Sequence, residues 1–250
     1  MWKAHKLKAL ILAAGRGKRL GEKTNSQNKC MLRLNDKPVI EYSLECAAGT
    51  EVNEIVVVVG HRAEEIINAY GNRYGGKPIR YVIQYDQQGL VHAIECSQSA
   101  IGEDDFLLLL GDEILINRKH RSMIKQFEDE NLFGICGIVI EKDQSRISKT
   151  YNLIQDDRKR IYRLIEKPRK PMNDLMGTGN CVFNNDIFSY IPQTPINQQR
   201  KEKELPDLIQ CAIDDGNIVK SFVICDVYFN INSEDDLKEA EAYTSSAQSG

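Results

Sequence analysis

The chain has 250 residues, of which 42% are hydrophobic and 28% charged, with a formal net charge of −3 at pH 7. This length suits one large domain or two small ones, and the charge balance gives no reason to expect nucleic acid or an anionic membrane as a partner. The seven cysteines form no CxxC pair, and no apolar stretch approaches the ~20 residues that span a bilayer, so we expect a cytoplasmic protein with reduced thiols.

The first part of the chain alternates between apolar strands and helices. Strands are predicted at 7–13, 54–59, 79–83, 106–110, 133–140, 181–183 and 218–225. Helices are predicted at 38–48, 61–70, 90–100 and 119–130. Strands that alternate with helices predict an α/β fold, with a mostly parallel central sheet in a three-layer arrangement.

The pattern changes after residue 140. Residues 149–168, KTYNLIQDDRKRIYRLIEKP, predict two strands around a charged turn, which we expect to form a smaller β-rich insertion along one wall of a pocket. A helix is predicted to end near Gly216, and Ser233 and Asp236 have the spacing of a capping box. Nothing separates independent domains, so residues 1–243 are predicted to form one domain, followed by a disordered tail at 244–250.

The first predicted strand ends in a glycine-rich, basic loop. The loop fails as a dinucleotide fingerprint because Leu20 stands where the third glycine should be, and it fails as a Walker A loop because Arg19 follows Gly17-Lys18. One remaining interpretation is a turn whose backbone approaches a phosphate, with Arg16, Lys18 and Arg19 meeting negative charge. The other is an ordinary strand-to-loop turn with solvated charges.

Two further polar residues favour a phosphate site. Lys29 lies on a polar loop downstream, and Asp112 follows a fully apolar strand. Because the carboxyl ends of parallel strands meet at one edge of a sheet, Asp112 and the loop around Gly15 should share a crevice. An isolated Asp after a strand is usually a turn residue or a helix cap. A basic loop facing it makes a hydrated Mg²⁺ on a polyphosphate the better interpretation.

With these features the chain resembles the sugar-1-phosphate nucleotidyltransferases, including glucose-1-phosphate thymidylyltransferases and N-acetylglucosamine-1-phosphate uridylyltransferases, over about residues 7–243. The matching motifs are LAAGRGKRL at 12–20, NKCMLRLNDKP at 28–38, QYDQQGLVHA at 84–93, LLLLGD at 107–112, LIEKP at 164–168 and RKEKELPD at 200–207. The resemblance implies a Rossmann-like nucleotidyltransferase fold, with a nucleotide-binding half at about 7–140 and an acceptor-binding half at about 141–243.

The chain departs from the family pattern at several positions. Lys18 replaces a small hydroxyl residue, and Asn28 replaces a proline. Asn230 stands where thymidylyltransferases have a second metal-ligand Asp, although the N-acetylglucosamine uridylyltransferases also have Asn there. Asn152 stands where the family often has a glycine that lets the sugar approach the backbone. We therefore expect Asn152 to narrow the acceptor pocket and to favour an unusual sugar or a non-sugar phosphate.

The resemblance implies Mg²⁺-dependent transfer from a nucleoside triphosphate, with a pyrimidine favoured, to a sugar 1-phosphate. It assigns catalysis to Arg19 and Lys29, and metal binding to Asp112 and Asn230. It assigns nucleotide binding to Leu12, Ala13, Ala14, Gly15, Arg16, Gly17, Lys18, Gln84, Gly89 and Leu90. It assigns acceptor binding to Asn152, Glu166, Lys167, Gly179 and Arg200.

Three alternatives to this activity remain open. They are cytidylyl transfer to a phosphate such as phosphocholine, an inactive regulatory module of the same fold, and an NAD-type oxidoreductase, which the failed fingerprint disfavours. No nucleic acid or membrane is expected as a partner. The sequence is compatible with a homodimer but does not fix the oligomeric state.

Overall fold

The computed structural model describes residues 6–17 and 27–247, without the side chains of residues 246 and 247. Its strands are β1 (Leu7–Ala13), β2 (Arg33–Leu34), β3 (Lys37–Pro38), β4 (Ile55–Val59), β5 (Arg73–Tyr74), β6 (Lys77–Ile83), β7 (Asp105–Leu110), β8 (Glu113–Ile116), β9 (Gly134–Ile140), β10 (Tyr151–Gln155), β11 (Ile161–Glu166), β12 (Leu175–Phe183), β13 (Ile196–Asn197), β14 (Glu202–Lys203), β15 (Val219–Val223) and β16 (Val227–Asn230). Its α-helices are α1 (Val39–Ala48), α2 (Ala63–Tyr70), α3 (Leu90–Ile101), α4 (His120–Asp129), α5 (Gln144–Ile147), α6 (Leu205–Asp214) and α7 (Glu234–Ala247).

The main sheet has β1 near its centre, as the apolar run at the start of the chain predicts. The strand order is β11-β10-β12-β7-β1-β4-β6-β5, and β9 pairs with both β12 and β15. The pairs of β1 with β4, β1 with β7 and β4 with β6 are parallel, so their carboxyl ends meet at one edge. The α/β fold with a mostly parallel central sheet is therefore confirmed.

Helices cover both faces of the sheet because consecutive residues of a strand point to opposite sides. Ile11 of β1 belongs to a core that includes Ile40 of α1 and Met123 of α4. Leu10 belongs to the core on the other face, which includes Ile94 of α3 and further apolar residues of α6. The sheet is thus the middle of three layers.

Strand β12 changes its neighbour partway along its length. Its first part pairs with β10 through Gly177, and its last part pairs with β7 through Cys181. Between these two residues the pairing with β9 is irregular. The sheet therefore opens beyond the end of β7, and the irregular segment of β12 forms part of the wall of a cavity.

Several predicted boundaries require correction. The strand predicted at 181–183 is only the end of β12, because its Gly- and Thr-rich first part lacks an apolar strand pattern. Helix α7 continues to Ala247, so residues 244–247 are helical rather than part of a disordered tail, and residues 248–250 lie outside the described residues. The capping box is confirmed: the Ser233 backbone N–H donates to Asp236 Oδ2 at 2.7 Å, and the Asp236 N–H donates to Ser233 Oγ at 3.3 Å.

Across the described residues, the helices lack the combination of length and apolar composition that crossing a membrane requires.

Candidate active site

A cavity lies at the edge where the parallel strands end, and it has two lobes. The inner lobe, of about 420 Å³, lies between α3, the irregular segment of β12, the end of β11 at Glu166, and the turn that carries Arg200. The outer lobe, of about 670 Å³, lies beside the glycine-rich loop and Lys29. Asp112 and Asn232 line both lobes and therefore mark the junction between them.

The glycine-rich loop lies along both lobes, as the phosphate-site interpretation requires. Leu12 and Gly15 line both lobes, Ala14 lines the inner one, and Ala13, Arg16 and Gly17 line the outer one. A Cβ added at Gly15 would meet no atom within 4 Å, so open space lies beside this backbone. Arg16 Nε donates to Gln87 Oε1 at 3.0 Å. The predicted residues Lys18 and Arg19 lie outside the described residues.

Lys29 reaches the junction of the lobes from a short 3-10 helix, Lys29–Met31. Asn28 caps this helix: its Oδ1 accepts a hydrogen bond from the Cys30 N–H at 2.8 Å, and its Nδ2 donates to the His61 carbonyl at 2.6 Å. The asparagine that departs from the family pattern therefore holds the loop in place. The side chain of Lys29 is only 9% exposed, which restricts its ammonium group to this position.

The Lys29 ammonium group is held among oxygen atoms at the junction. Its Nζ lies 2.5 Å from Asp112 Oδ2 and 2.8 Å from Asn232 Oδ1. Asn232 Nδ2 in turn donates to Asn230 Oδ1 at 2.6 Å. The Ile231 N–H donates to the Asp112 carbonyl at 2.9 Å, which places the loop after β16 beside Asp112. Lys29, Asp112 and Asn230 are thus brought together as expected.

The donor set at the junction fits Mg²⁺, because carboxylate and amide oxygens are the hard ligands that this ion takes. Asp112 and Asn230 would hold the ion, and Asp112 already attracts a cation in the form of Lys29. Within residues 6–17 and 27–247, no cluster of three or more His, Cys, Asp or Glu side chains could hold a metal. A magnesium ion here would therefore need further ligands from a bound substrate.

The Gln84 element lies at the far side of the inner lobe. Gln84 is buried, and its Nε2 donates to the Gly89 carbonyl at 3.1 Å and contacts His92 Nδ1 at 2.9 Å. Gly89 has φ of +96°, and an added Cβ there would lie 2.5 Å from Glu202 Oε2. This position therefore requires glycine. Gln84, Gly89 and Leu90 all line the inner lobe, and His92 orients the Gln84 amide.

Charged side chains also cluster along the inner lobe, and one of them, Glu202, lies next to Gly89. Glu166 Oε1 lies 2.7 Å from Lys167 Nζ and 3.3 Å from Arg200 Nη1. Arg200 also contacts Glu202 at 2.6 Å and Glu204 at 3.1 Å. Three of the five residues predicted to bind the acceptor, Glu166, Lys167 and Arg200, are therefore adjacent.

Sequence reasoning did not assign Glu202 and Glu204. Burial, followed by the charge of Glu166, raises the pKa of Glu204 to about 7, while Arg200 opposes the rise. Glu202 and Glu204 are two apart in an extended segment and therefore share one side, which the spacing EKE indicates. Arg200 lies in the turn before them, where Lys201 has φ of +60°, so their contact with Arg200 was not predictable from the spacing.

Gly179 lines the inner lobe, as expected, in the irregular segment of β12. An added Cβ there would lie 2.2 Å from Leu110 Cγ, so only glycine fits. The close neighbour is a side chain of the protein. Packing within the chain therefore suffices to explain this glycine.

Asn152 does not take the place predicted for it. Its side chain is fully buried, and its Nδ2 donates to Asn173 Oδ1 at 2.7 Å and to the Leu175 carbonyl at 2.8 Å, while its Oδ1 accepts from the Met172 N–H at 2.9 Å. Its neighbour on β10, Tyr151, lines the inner lobe. Adjacent strand residues point to opposite faces, so Asn152 faces the loop at 172–175 rather than the acceptor pocket.

Sequence reasoning also missed a buried cluster of polar groups around Glu113, which lines the inner lobe. Glu113 is 3% exposed, and it accepts hydrogen bonds from Tyr228 Oη at 2.6 Å, Asn180 Nδ2 at 2.6 Å and the Gly179 N–H at 3.0 Å. Burial raises the pKa of Glu113 to about 8, and the donors from Tyr228 and Gly179 oppose the rise. The acidic residue after Asp112 was visible in LLLLGDE, but its partners come from distant parts of the chain.

The cluster around Glu113 also includes His120, at the start of α4. Its Nε2 lies 2.8 Å from Asn180 Oδ1, and burial lowers its pKa to about 4. The imidazole is therefore neutral at neutral pH, with the proton on Nε2 donated to Asn180. This fixes the orientation of the Asn180 amide, which presents its NH₂ group to Glu113.

Comparison with known proteins adds to this geometry. Residues 8–244 match the family model described as "Nucleotidyl transferase". The chain is 32% identical over 237 residues to the UTP–glucose-1-phosphate uridylyltransferase AglF of Haloferax volcanii, with 94% of this chain and 95% of AglF covered. It is also 32% identical to the low-salt glycan biosynthesis nucleotidyltransferase Agl11 of the same organism, with 94% of this chain covered but only 65% of Agl11.

Solved structures share the fold. A UDP-glucose pyrophosphorylase complexed with UDP-glucose superposes with a TM-score of 0.86 at 23% identity, covering 96% of this chain and 99% of that one. A putative glucose-1-phosphate thymidylyltransferase from Bacillus anthracis gives a TM-score of 0.84 at 21% identity, covering 95% and 94% of the two chains.

Proposed function

The chain belongs to the nucleotidyl transferase family of enzymes, and from this premise we propose that it joins a nucleoside triphosphate to a sugar 1-phosphate in a Mg²⁺-dependent reaction. An oxygen of the acceptor phosphate attacks the α-phosphorus of the triphosphate. The bond between the α-phosphorus and the bridging oxygen breaks, and pyrophosphate leaves with that electron pair. A phosphate monoester is already largely dianionic near pH 7, so the attack needs no general base.

The two lobes of the cavity suit the two substrates. The outer lobe has the glycine-rich loop, Arg16 and Lys29 along its wall, which suits the triphosphate. The inner lobe is lined by Glu166, Lys167 and Arg200, which suit a sugar carrying a phosphate, and also by Gln84, Gly89 and Leu90, which suit the nucleobase. We accordingly assign residues 7–140 mainly to nucleotide binding and residues 141–243 mainly to acceptor binding.

Lys29 carries the central role in this proposal because it stands where the lobes meet. Its ammonium group would stabilise the charge that develops on the α-phosphate, and the amides of the loop around Gly15 would hold the outer phosphates. Mg²⁺ bound by Asp112 and Asn230 would supply charge neutralisation at the triphosphate. Arg19, outside the described residues, is proposed as a second cation on these phosphates.

On the acceptor side, Lys167 and Arg200 would bind the incoming phosphate, and Glu166 would accept hydrogen bonds from sugar hydroxyls. Gln84 would bind the nucleobase, with Gly89 and Leu90 beside it. Asn152 was the reason to expect an unusual acceptor. Since its side chain faces away from the inner lobe, we propose an ordinary sugar 1-phosphate as the first acceptor to test.

The observation that carries the proposal is the contact of Lys29 with Asp112, which lies between the glycine-rich loop on the outer lobe and the charged residues Glu166, Lys167 and Arg200 on the inner lobe. Two relatives guide the choice of substrates: AglF is named for UTP and glucose 1-phosphate, and a protein of Streptomyces griseus, 30% identical over 249 residues, is named a glucose-1-phosphate thymidylyltransferase. We therefore propose a pyrimidine nucleotide.

The test is pyrophosphate release by the full chain with MgCl₂. UTP, dTTP, CTP, ATP and GTP are each combined with glucose 1-phosphate, galactose 1-phosphate, N-acetylglucosamine 1-phosphate and phosphocholine. We expect the highest rate with UTP or dTTP and a sugar 1-phosphate. Highest turnover with CTP and phosphocholine would reassign the acceptor, and no turnover in any pair by a folded protein would favour a regulatory module.

A further inference from the structure

Glu113 has no part in the proposed chemistry, yet it is the most completely hydrogen-bonded carboxylate near the cavity. It follows Asp112 directly and lies opposite Asn230 in the antiparallel pair of β8 with β16. All of its bonds come from donors: Tyr228 Oη, Asn180 Nδ2 and the Gly179 N–H. Burial raises the pKa of Glu113 to about 8, and in the ionised form, which the convergence of these donors favours, its two oxygens accept from all three without conflict.

The donors that meet at Glu113 come from elements that serve different parts of the cavity. Gly179 lies in the irregular segment of β12, where the ladder with β9 is interrupted. Glu113 therefore fixes backbone that the sheet leaves unpaired, in the wall of the inner lobe. Tyr228 lies on β16, two residues before Asn230, and thus on the same face of that strand.

Neighbouring polar side chains connect Glu113 to the residues around Lys29. The Tyr228 phenol donates to Glu113 Oε1, and Asn230 lies on the same face of β16 as Tyr228 and directly opposite Glu113 in the pair with β8. Asn230 Oδ1 then accepts from Asn232, whose own Oδ1 accepts from Lys29. Glu113 and its partner Tyr228 thus both lie next to the amide that would hold the metal ion.

We propose that Glu113 is a positioning residue, whose carboxylate holds the Tyr228 phenol beside Asn230 and the Gly179 amide in the wall of the inner lobe. The Asn230 side chain and the Gly179 backbone then keep a fixed position relative to each other. Partners behind a ligand orient it, and their loss typically costs ~10-fold or more in metal affinity or activity. This inference rests on the proposed function for its metal and its substrates.

The test compares Tyr228→Phe with Tyr190→Phe as a matched control. Tyr190 is also buried, and its Oη donates to a carboxylate, Asp215 Oδ2, at 2.7 Å, but it lies on the 3-10 helix Asn185–Tyr190, which packs on α6. Both substitutions remove one phenol–carboxylate hydrogen bond. Only Tyr228→Phe removes one that bears on Asn230.

Two readouts are measured on the full chain. The first is Mn²⁺ binding by electron paramagnetic resonance, with a non-hydrolysable UTP analogue present. The second is the Mg²⁺ dependence of pyrophosphate release, with separate KM values for nucleotide and acceptor. We expect Tyr228→Phe to weaken Mn²⁺ binding and raise the half-activating Mg²⁺ concentration by ~10-fold, with a smaller change in the nucleotide KM.

Glu113→Gln provides a second variant with a distinct expectation. Its amide would place an NH₂ group against donors, so both the Mn²⁺ affinity and the acceptor KM should worsen. Combined with Tyr228→Phe, its effect on Mn²⁺ binding should be less than the sum of the two, because both act through one bond.

The positioning role would be overturned if the wild type is active and Tyr228→Phe and Tyr190→Phe show the same metal dependence. The proposed function would then still stand. A folded wild type with neither turnover nor nucleotide-dependent Mn²⁺ binding would overturn both.

Discussion

The Lys29 ammonium group lies 2.5 Å from Asp112 Oδ2, and both side chains stand where the two lobes of the cavity meet. The lysine is 9% exposed and the aspartate 21%, so the charges are shielded from much of the solvent. A cation and an anion proposed for the same reaction thus hold each other in place without substrate.

Replacing Lys29 should impair catalysis more than folding. Lys29→Met keeps the apolar stem but removes the charge that would face the α-phosphate, so we expect turnover to fall by at least ~10²-fold. The control is Lys37→Met, which breaks a more exposed pair with Glu45, 3.0 Å apart. Pyrophosphate release and thermal unfolding are measured for both, and wild-type turnover in Lys29→Met would remove Lys29 from the site.

The two residues proposed as metal ligands, Asp112 and Asn230, are tested by three substitutions. Asp112→Ala should abolish turnover at ordinary Mg²⁺ concentrations, and Asn230→Leu should resemble it, because leucine offers no oxygen. Asn230→Asp should remain active and bind Mg²⁺ more tightly, since a carboxylate replaces a neutral amide. Turnover is measured across a Mg²⁺ titration. If Asn230→Leu retains the wild-type profile, the second ligand lies elsewhere.

Gly89→Ala should disturb the acceptor lobe as well as the Gln84 element. The new Cβ would lie 2.5 Å from Glu202 Oε2, and Glu202 contacts Arg200 at 2.6 Å, so Arg200 should shift and the acceptor KM should rise. Gly102→Ala is the matched control, because Gly102, at the other end of α3, also has positive φ, +69°, but an added Cβ meets nothing within 4 Å. Gly89 and Gly102 have ψ of −178° and −127°, so both alanines should introduce backbone strain of about 1–3 kcal/mol, but only Gly89→Ala should change the acceptor KM. Equal KM values would contradict the argument.

Asn152→Ala should affect stability and leave acceptor choice unchanged. The substitution leaves three polar groups of the loop at 172–175 without their buried partner, which should lower the free energy of unfolding by about 1–3 kcal/mol. Asn72 is exposed, so Asn72→Ala serves as the control. It should shift the free energy of unfolding by no more than about 0.5 kcal/mol. Denaturant unfolding and the acceptor panel are measured together. A changed acceptor preference in Asn152→Ala would return this residue to the pocket.

His120 should make stability depend on pH below neutrality. Burial lowers its pKa from the ordinary 6.5 to about 4, so between these pH values the unfolded chain binds a proton that the folded chain does not. The free energy of unfolding should therefore fall as pH drops through this range, by up to about 3 kcal/mol from this group. His120→Gln, which can still donate to Asn180, should show a smaller loss between pH 7 and pH 5. Identical slopes for wild type and variant would mean that His120 titrates normally.

The sequence by itself determined the features that depend on local pattern. The apolar run of β1, the helix periodicity of α1 and α3, and the capping box at Ser233 follow from neighbouring residues, and the structure has them. The crevice shared by the loop around Gly15 and Asp112 was predictable too, because parallel strands place their carboxyl ends at one edge. The role of Lys29 there came from the family resemblance.

Only the tertiary structure decided which face of a strand meets the cavity. Tyr151 and Asn152 are adjacent in sequence, but only Tyr151 lines the inner lobe. Which of the two does so depends on where β12 changes its neighbour from β10 to β7. Glu113 likewise gains its role from Gly179, Asn180 and Tyr228, which lie more than sixty residues away. Contacts at such separations are fixed by the packing of the whole sheet, and a local pattern carries no record of them.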